Sequence, residues 1–375
     1  MTVKELIARS KAAQEAFAFA TQEQADAAAR AICKVVYDNA EKLGPMAAEE
    51  SRMGSEQDKI AKCRNKSALI WESLKGKKSC DIINRIEERR MIEVAKPVGV
   101  VASIIPSTNP VVTPMSNGAF ALKCRNSVIF APHPRAVKCT KLLVEMFRAE
   151  LKKLGLPEDL VLGLEEVSND LTSELMSAAD MVVATGGMGM VKAAYSSGKP
   201  AYGVGGGNVQ CIIDEDADIA DAVGKIIIGR AFDNGLICLG EQTVFVPEDK
   251  EAEFVAEMKK QGGYLVEGEE NVDKLREGLF PGGGAFSRVV VGMFADQVSD
   301  EIGLGAPKGT RVLFAKAKAL GAGDVLCREK LCPVIAYMTY KTFKEGVAMM
   351  EANLDHEGKG HSIAVHSNTP ENVEY

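Results

Sequence analysis

Histidine and tryptophan are scarce in this chain of 375 residues, which holds four of the first and one of the second. His133, His356, His361 and His366 are too few and too scattered for a histidine-rich metal site, so no metal is expected. No CxxC pair occurs among the nine cysteines, Cys33, Cys63, Cys80, Cys124, Cys139, Cys211, Cys238, Cys327 and Cys332. Their odd number and irregular spacing argue against a disulfide framework or a zinc finger. Basic residues form no stripe interleaved with aromatics and the net charge is -7, so nucleic acid is not an expected partner. The short basic cluster from Lys75 to Lys78 reads as a solvated helix end. Neither a signal peptide nor an apolar run of about 18 residues is visible, so the expectation is a reduced, soluble, cytoplasmic protein without a membrane span. What is present is 46% hydrophobic and 26% charged sequence, enough for about two or three domains with a sizeable core.

Residues 2–44 are rich in Ala, Glu, Lys and Gln and read as helix. Thr21-Gln22-Glu23-Gln24 has the form of a capping box that restarts it. Helix continues over 46–75. From Met91 the pattern changes to short strands alternating with helices. Gly99–Ile105 is an apolar run suited to a strand covered on both faces. A helix over about 110–122 follows it. Ser127–Ala131 is a second strand, and Leu142, Leu143, Met146 and Phe147 then share one helix face. Leu160–Leu162, Met181–Ala184 and Ala201–Val204 are further strands, with a helix near 189–196. Such alternation predicts an α/β fold with a doubly wound parallel sheet and ligands at the carboxyl ends of its strands. A second α/β unit starts near Cys211, with a helix ending near Arg230, a strand at 243–246 and a helix over 250–261.

The strand ends carry the candidate chemistry. Pro106-Ser107-Thr108-Asn109-Pro110 follows the first strand and Pro132-His133-Pro134-Arg135 the second. Thr185-Gly186-Gly187-Met188-Gly189 opens a helix, and Gly203-Val204-Gly205-Gly206-Gly207-Asn208 follows the fifth strand. Glycines let a ligand approach the backbone, and helix N-termini favour phosphate. The GGxG run is shorter than the GxGxxG fingerprint, and a tight turn explains it equally. In Phe232-Asp233-Asn234-Gly235-Leu236-Ile237-Cys238 one cysteine sits between an Asn-Gly turn and a strand. A thiol so placed is reachable, as a nucleophile must be, although most cysteines outside disulfides are small buried hydrophobes.

These motifs, with Glu329-Lys330-Leu331-Cys332-Pro333-Val334, run in one order along the chain. In that order and spacing the sequence resembles the aldehyde dehydrogenase superfamily, in particular its CoA-acylating branch. The resemblance implies an aldehyde dehydrogenase-like fold with a dinucleotide-binding domain at 1–210 and a catalytic domain at 211–375. Within the first, 86–97 would belong to an oligomerisation hairpin, giving a homodimer or dimer-based oligomer. It also implies Cys238 as the nucleophile and the Asn109 amide as a donor to the oxyanion, although Asn109 before Pro110 is also a natural helix N-cap. Glu329 would steady the nicotinamide ribose, where a solvated surface acid is the plainer alternative. Thr185, Gly186 and Gly187 would lie by the pyrophosphate, and His133, Pro134 and Arg135 by the adenosine ribose. Cofactor contacts would extend to Pro106, Ser107, Thr108, Gly205 and Pro333. NAD or NADP is the implied cofactor and coenzyme A the cosubstrate. Arg135, and the absence of a carboxylate at Ala136, lean towards NADP.

Two departures from the family pattern matter. Hydrolytic members carry a water-activating glutamate in Glu-Leu-Gly-Gly, where this chain has Gly203-Val204-Gly205-Gly206. Without that base the thioester should persist until a thiol takes the acyl group. The family's catalytic domain also continues past the position of Tyr375, and an end there would leave the hairpin with an unpaired edge. Val111–Met115 and Val191–Gly198 resemble the succinate-semialdehyde enzymes, with sulfoacetaldehyde and acetaldehyde as alternative substrates. Two further readings stand beside this one: an acyl-phosphate reductase of the same superfamily, and a nucleotide-binding or assembly subunit without turnover.

Overall fold

Two capping boxes open the chain. Thr2 accepts from Glu5 N–H at the start of helix α1 (Val3–Phe17), and Thr21 does the same for Gln24 at the start of α2 (Gln22–Asp38). In each, the N3 side chain returns a bond to the cap backbone, so two orphan donors are satisfied together. The expected capping box at Thr21 is therefore present. Helix α3 (Ala40–Ser51) follows, then α4 (Glu56–Leu74). The long helix expected over 46–75 is broken where Arg52 turns left-handed, with φ 57°.

The computed structural model describes all 375 residues, and its contacts divide them into two units. The first comprises Met1–Arg52 and Glu56–Gly205; the second comprises Met53–Ser55 and Gly206–Tyr375.

In the first unit an antiparallel hairpin, β1 (Asp81–Ile86) and β2 (Met91–Ala95), turns through Arg90 at φ 52°. The hairpin expected at 86–97 thus begins five residues earlier, at Asp81. A parallel sheet follows: β3 (Val100–Ile105), α5 (Val112–Lys123), β4 (Ser127–Pro132), α6 (Val137–Lys153), β5 (Val161–Gly163), α7 (Asn169–Ala178), β6 (Met181–Thr185), α8 (Met188–Tyr195) and β7 (Ala201–Val204). Its strand order is β5-β4-β3-β6-β7, and every neighbouring pair is parallel.

All six positions of β3 and of β4 are buried, because helices cover both faces. The two-residue period sorts them. Val101 and Ile105 join a core with Ile32, Met115, Phe130 and Phe147, on the side of α2, α5 and α6. Val100, Ala102 and Ile104 join Leu6, Leu175, Met176 and Ala194, on the side of α1, α7 and α8. Phe130 is fully buried, and truncating such a ring costs about 3–5 kcal/mol.

The second unit has its own six-stranded sheet in the order β10-β11-β12-β9-β8-β13, also parallel throughout. In chain order its elements are β8 (Val209–Ile213), α9 (Ile219–Ala231), β9 (Glu241–Pro247), α10 (Glu251–Lys260), β10 (Gly263–Leu265), α11 (Glu269–Leu279), α12 (Ala295–Ile302), β11 (Val312–Lys316), β12 (Val334–Tyr340), α13 (Phe343–His356), β13 (Ile363–His366) and α14 (Pro370–Glu374). Phe314 and Tyr337 pack with Phe254 of α10 on one face, while Leu313 and Ala336 pack with Leu275 and Val298 of α11 and α12 on the other. No helix of either unit is long and apolar enough to cross a membrane.

Candidate functional site

In the first unit the strand order reverses at β3, so the crevice beyond the carboxyl ends of β3 and β6 is where such a sheet receives ligands. Ile104 and Ala184 are in register there, which brings Pro106–Thr108 and Thr185–Gly187 to one sheet edge. Helix α8 starts at this edge with Gly187 as its cap and no side chain bonded to its first turn. A Cβ on Gly187 or Gly189 would meet nothing within 4 Å, so the space before these N–H groups is open. An open helix N-terminus of this kind fits a phosphate or pyrophosphate group.

The start of α6 is different. Both oxygens of Glu50 accept there, from Lys138 N–H at 2.6 Å and Cys139 N–H at 2.8 Å. That N-terminus is thus already filled by a carboxylate of the chain. His133 and Arg135 lie exposed just before it, with His133 Nδ1 accepting from Arg135 N–H at 3.1 Å.

Asn109 does not cap a helix. Helix α5 begins at Val112 with no side-chain cap, because the chain makes a further bend at Val111 first. The Asn109 side chain instead accepts at Oδ1 from Lys62 Nζ at 2.9 Å, and Nδ2 lies 3.4 Å from Thr108 Oγ1. Gly203 is the residue that the resemblance sets against the glutamate of hydrolytic members. A Cβ there would lie 2.7 Å from Val191 Cγ1 and 2.9 Å from Tyr195 Cε2. Packing therefore closes that position to a side chain. Gly205 would meet Met188 Sδ at 2.9 Å.

In the second unit the turn before Cys238 has three consecutive left-handed residues, Asp233 (φ 49°), Asn234 (φ 53°) and Gly235 (φ 72°). Each non-glycine residue so held costs about 1–3 kcal/mol and persists only when its surroundings fix it. Asp233 Oδ1 accepts from Ser55 N–H at 3.1 Å, and Asn234 Nδ2 donates to Gly292 O at 2.9 Å. A Cβ on Gly235 would sit 2.6 Å from the Cys332 carbonyl, so the turn also packs flush against that loop. Cys238 emerges half-buried, whereas Cys33 and Cys332 are buried deeply enough that their thiols are pushed up to about 12. Those two behave as core hydrophobes.

Gly207 lies against Cys238. A Cβ on Gly207 would collide with the Cys238 carbonyl oxygen and stand 3.1 Å from Cε1 of His361. His361 Nδ1 is buried without a hydrogen-bond partner. Glu329 Oε1 accepts from Gly207 N–H at 2.8 Å, and its other oxygen crowds Gly206. Burial, chiefly, pushes the Glu329 carboxyl up, opposed by that bond. Glu329 is therefore no solvated surface acid; it is fixed against the glycine run.

Its loop is held from beneath. The buried Arg230 donates to the carbonyls of Lys330 and Cys332, and Gln242 brackets Lys330 N–H at 3.0 Å. Lys330 Nζ donates to Leu326 O at 2.6 Å and Arg328 O at 2.8 Å, and burial pulls its pKa down to about 7. Pro333 is buried at the entry to β12, its carbonyl accepting from Leu313 N–H at 2.9 Å. Sequence reasoning passed over Lys62, Glu50 and His361. Only the glycines at 358 and 360 mark out His361, and nothing local marks the other two.

Two α/β units, each built on a parallel sheet, are the fold that the resemblance to the aldehyde dehydrogenases implies. Comparison with known proteins agrees. The aldehyde dehydrogenase family model matches residues 1–274. The acetylating succinate-semialdehyde dehydrogenase of Clostridium kluyveri is 47% identical over 375 residues, covering 100% of this chain and 83% of that protein. The sulfoacetaldehyde dehydrogenase of an Acholeplasma species is 40% identical over 374 residues, 98% of this chain and 77% of the other. The crystal structure of an acetylating aldehyde dehydrogenase from Geobacillus thermoglucosidasius superposes with a TM-score of 0.94 at 36% identity, over 99% of this chain and 82% of that one. The chain belongs to the aldehyde dehydrogenase family.

Proposed function

We propose that this enzyme interconverts a short anionic aldehyde, succinate semialdehyde foremost, and its acyl-CoA through a thioester on Cys238. It is an oxidoreductase of the CoA-acylating kind, with NAD or NADP as cofactor and coenzyme A as acyl acceptor. Aldehyde, coenzyme A and NAD(P)+ give acyl-CoA, NAD(P)H and a proton.

Cys238 Sγ adds to the aldehyde carbon, and the carbonyl π pair moves onto oxygen. The Asn109 amide and the Cys238 N–H donate to that oxyanion. When bound, NAD(P)+ supplies the hydride acceptor that takes the adduct to the thioester. Gly186, Gly187 and the open start of α8 would hold its pyrophosphate, and Glu329 its nicotinamide ribose. The CoA thiol then loses its proton, attacks the thioester carbon and expels the Cys238 thiolate. His361, whose Cε1 and Nε2 face Gly207 beside the Cys238 carbonyl, is the group we assign to take that proton.

The closed position at Gly203 carries the acylating reading. Residue 203 is a glycine crowded by Val191 and Tyr195, so it offers no carboxylate to activate water. A thiol needs less help, since its minor thiolate fraction is already a strong nucleophile. Charge supports the substrate class, because both curated relatives are named for aldehydes that carry an anion. We further propose assembly through β1 and β2, whose Ile82, Met91, Ile92 and Val94 are exposed apolar side chains.

The test follows NAD(P)H absorbance with succinate semialdehyde, sulfoacetaldehyde and acetaldehyde, each with coenzyme A, with phosphate, or with neither. CoA-dependent signal that is strongest for the anionic aldehydes is expected. Signal with phosphate alone would move the assignment to the acyl-phosphate reductases, and a preference for acetaldehyde would remove the anionic substrate.

A further inference from the structure

We infer that Lys62 is a positioning residue for turnover, which sets the amide of Asn109 so that its nitrogen and not its oxygen serves the oxyanion. The inference rests on Asn109 as the oxyanion donor. Lys62 lies on α4, far from Asn109 in sequence, and is 4% exposed. Its Nζ stands 2.9 Å from Asn109 Oδ1.

An ammonium carries three donors and no acceptor. The Asn109 atom it meets must therefore be the amide oxygen, whichever way a side-chain amide would otherwise be assigned. With the oxygen held there, the NH2 group points to the opposite side. Its other contact, to Thr108 Oγ1, is long at 3.4 Å, so donor capacity remains for a ligand. The ammonium also withdraws electron density through the amide, which makes the N–H a better donor.

Without Lys62 nothing chemical distinguishes the two ends of the amide. The terminal torsion of asparagine is broad and roughly two-fold. An amide oxygen facing an oxyanion repels it, so the misplaced rotamer is worse than an empty position. The loss should fall on the chemical step and leave cofactor affinity alone. A lysine kept only for packing would be replaced well by methionine, which has similar length and volume.

The experiment is a double-mutant cycle on the full chain with Lys62→Met, Asn109→Ala and the pair, joined by Lys62→Arg. Thermal midpoint, the KM for NAD(P)+, kcat and single-turnover acylation of Cys238 are read for each. Lys62→Met is expected to lower kcat on the order of 10-fold, and Asn109→Ala about 10²-fold. The double variant should be no slower than Asn109→Ala, and the KM for NAD(P)+ should stay within about two-fold. Lys62→Arg, which keeps charge and donors, should recover most of the loss. Additive losses in the double variant, or a wild-type kcat in Lys62→Met while Asn109→Ala is slow, would overturn the role of Lys62. A wild-type kcat in Asn109→Ala would instead remove the oxyanion reading beneath it. Should Lys62→Met fail to fold, Lys62→Gln set against Lys62→Arg carries the same comparison.

Discussion

Three adjacent glycines, each replaced by alanine, should give three different enzymes. At Gly205 the new methyl meets Met188 Sδ at 2.9 Å, the mobile end of an exposed side chain that can swing aside. Little should change, within about two-fold in any rate constant. At Gly206 the methyl meets the Glu329 carboxylate, which must move and give up its 2.8 Å bond to Gly207 N–H. A hydrogen bond to a charged group is worth about 1.5–3 kcal/mol, so the KM for NAD(P)+ should rise roughly 10- to 100-fold if Glu329 steadies the ribose. At Gly207 the obstacle is backbone, the carbonyl of Cys238, which has no rotamer to adopt. The Cys238 turn must shift on the order of 1 Å, and a misplacement of that size costs about 10²-fold in the chemical step. Steady-state rates with saturating coenzyme A separate kcat from KM, and mass spectrometry of a single turnover reads Cys238 acylation directly. Each variant is first checked for an unchanged thermal midpoint. A wild-type kcat in Gly207→Ala, or a larger loss at Gly205 than at Gly207, would refute the placement of the nucleophile against this run.

Further outcomes follow from the same geometry. Cys238→Ala should lose turnover and single-turnover acylation while still quenching or shifting NAD(P)H fluorescence on binding; retained turnover would remove the nucleophile. Lys330 gives a pH signature. Its folded pKa of about 7 lies below the ordinary lysine value of 10.5, so between them the unfolded chain holds a proton that the native one does not. Stability from this group is therefore full above pH 10.5 and is lost as pH falls towards 7, by at most about 1.4 kcal/mol per pH unit. Against Lys330→Met, wild type should gain in denaturant midpoint from pH 7.5 to 9.5; parallel profiles would show Lys330 protonated throughout. Ile92→Asp with Val94→Asp should shift the enzyme to a smaller species in light scattering, and an unchanged mass would clear the hairpin of assembly.

Local signals were the legible ones. The capping box at Thr21 and the strand at Ala201–Val204 could be read because each is set by a few neighbouring residues. β3 and β4 stood out because strands buried on both faces are apolar at every position. β1 did not, since Asp81–Ile86 is exposed along most of its length and has no inward face to alternate with. The sequence pattern likewise predicts neither helix α7, capped by Ser168, nor the elements after Val334. At the site, the turn before Cys238 was visible through Asn-Gly, but the contacts that set its neighbours join residues far apart. Lys62 reaches Asn109 across 47 positions and Glu329 reaches Gly207 across 122. No window of sequence contains such pairs, so only the fold shows that Asn109 is not the helix cap it could equally have been.

The short segment Met53–Ser55 ties synthesis to assembly. These three residues lie within the first stretch of chain yet belong to the second unit, where Gly54 N–H bonds Gly292 O at 3.0 Å and Ser55 N–H bonds Asp233. At a ribosomal rate of about 5–20 residues per second, Gly54 waits some tens of seconds for Gly292 to be made. The second unit is therefore discontinuous in the gene. No single cut yields it whole, and a fragment starting at Gly206 would lack the clamp on the turn that presents its cysteine.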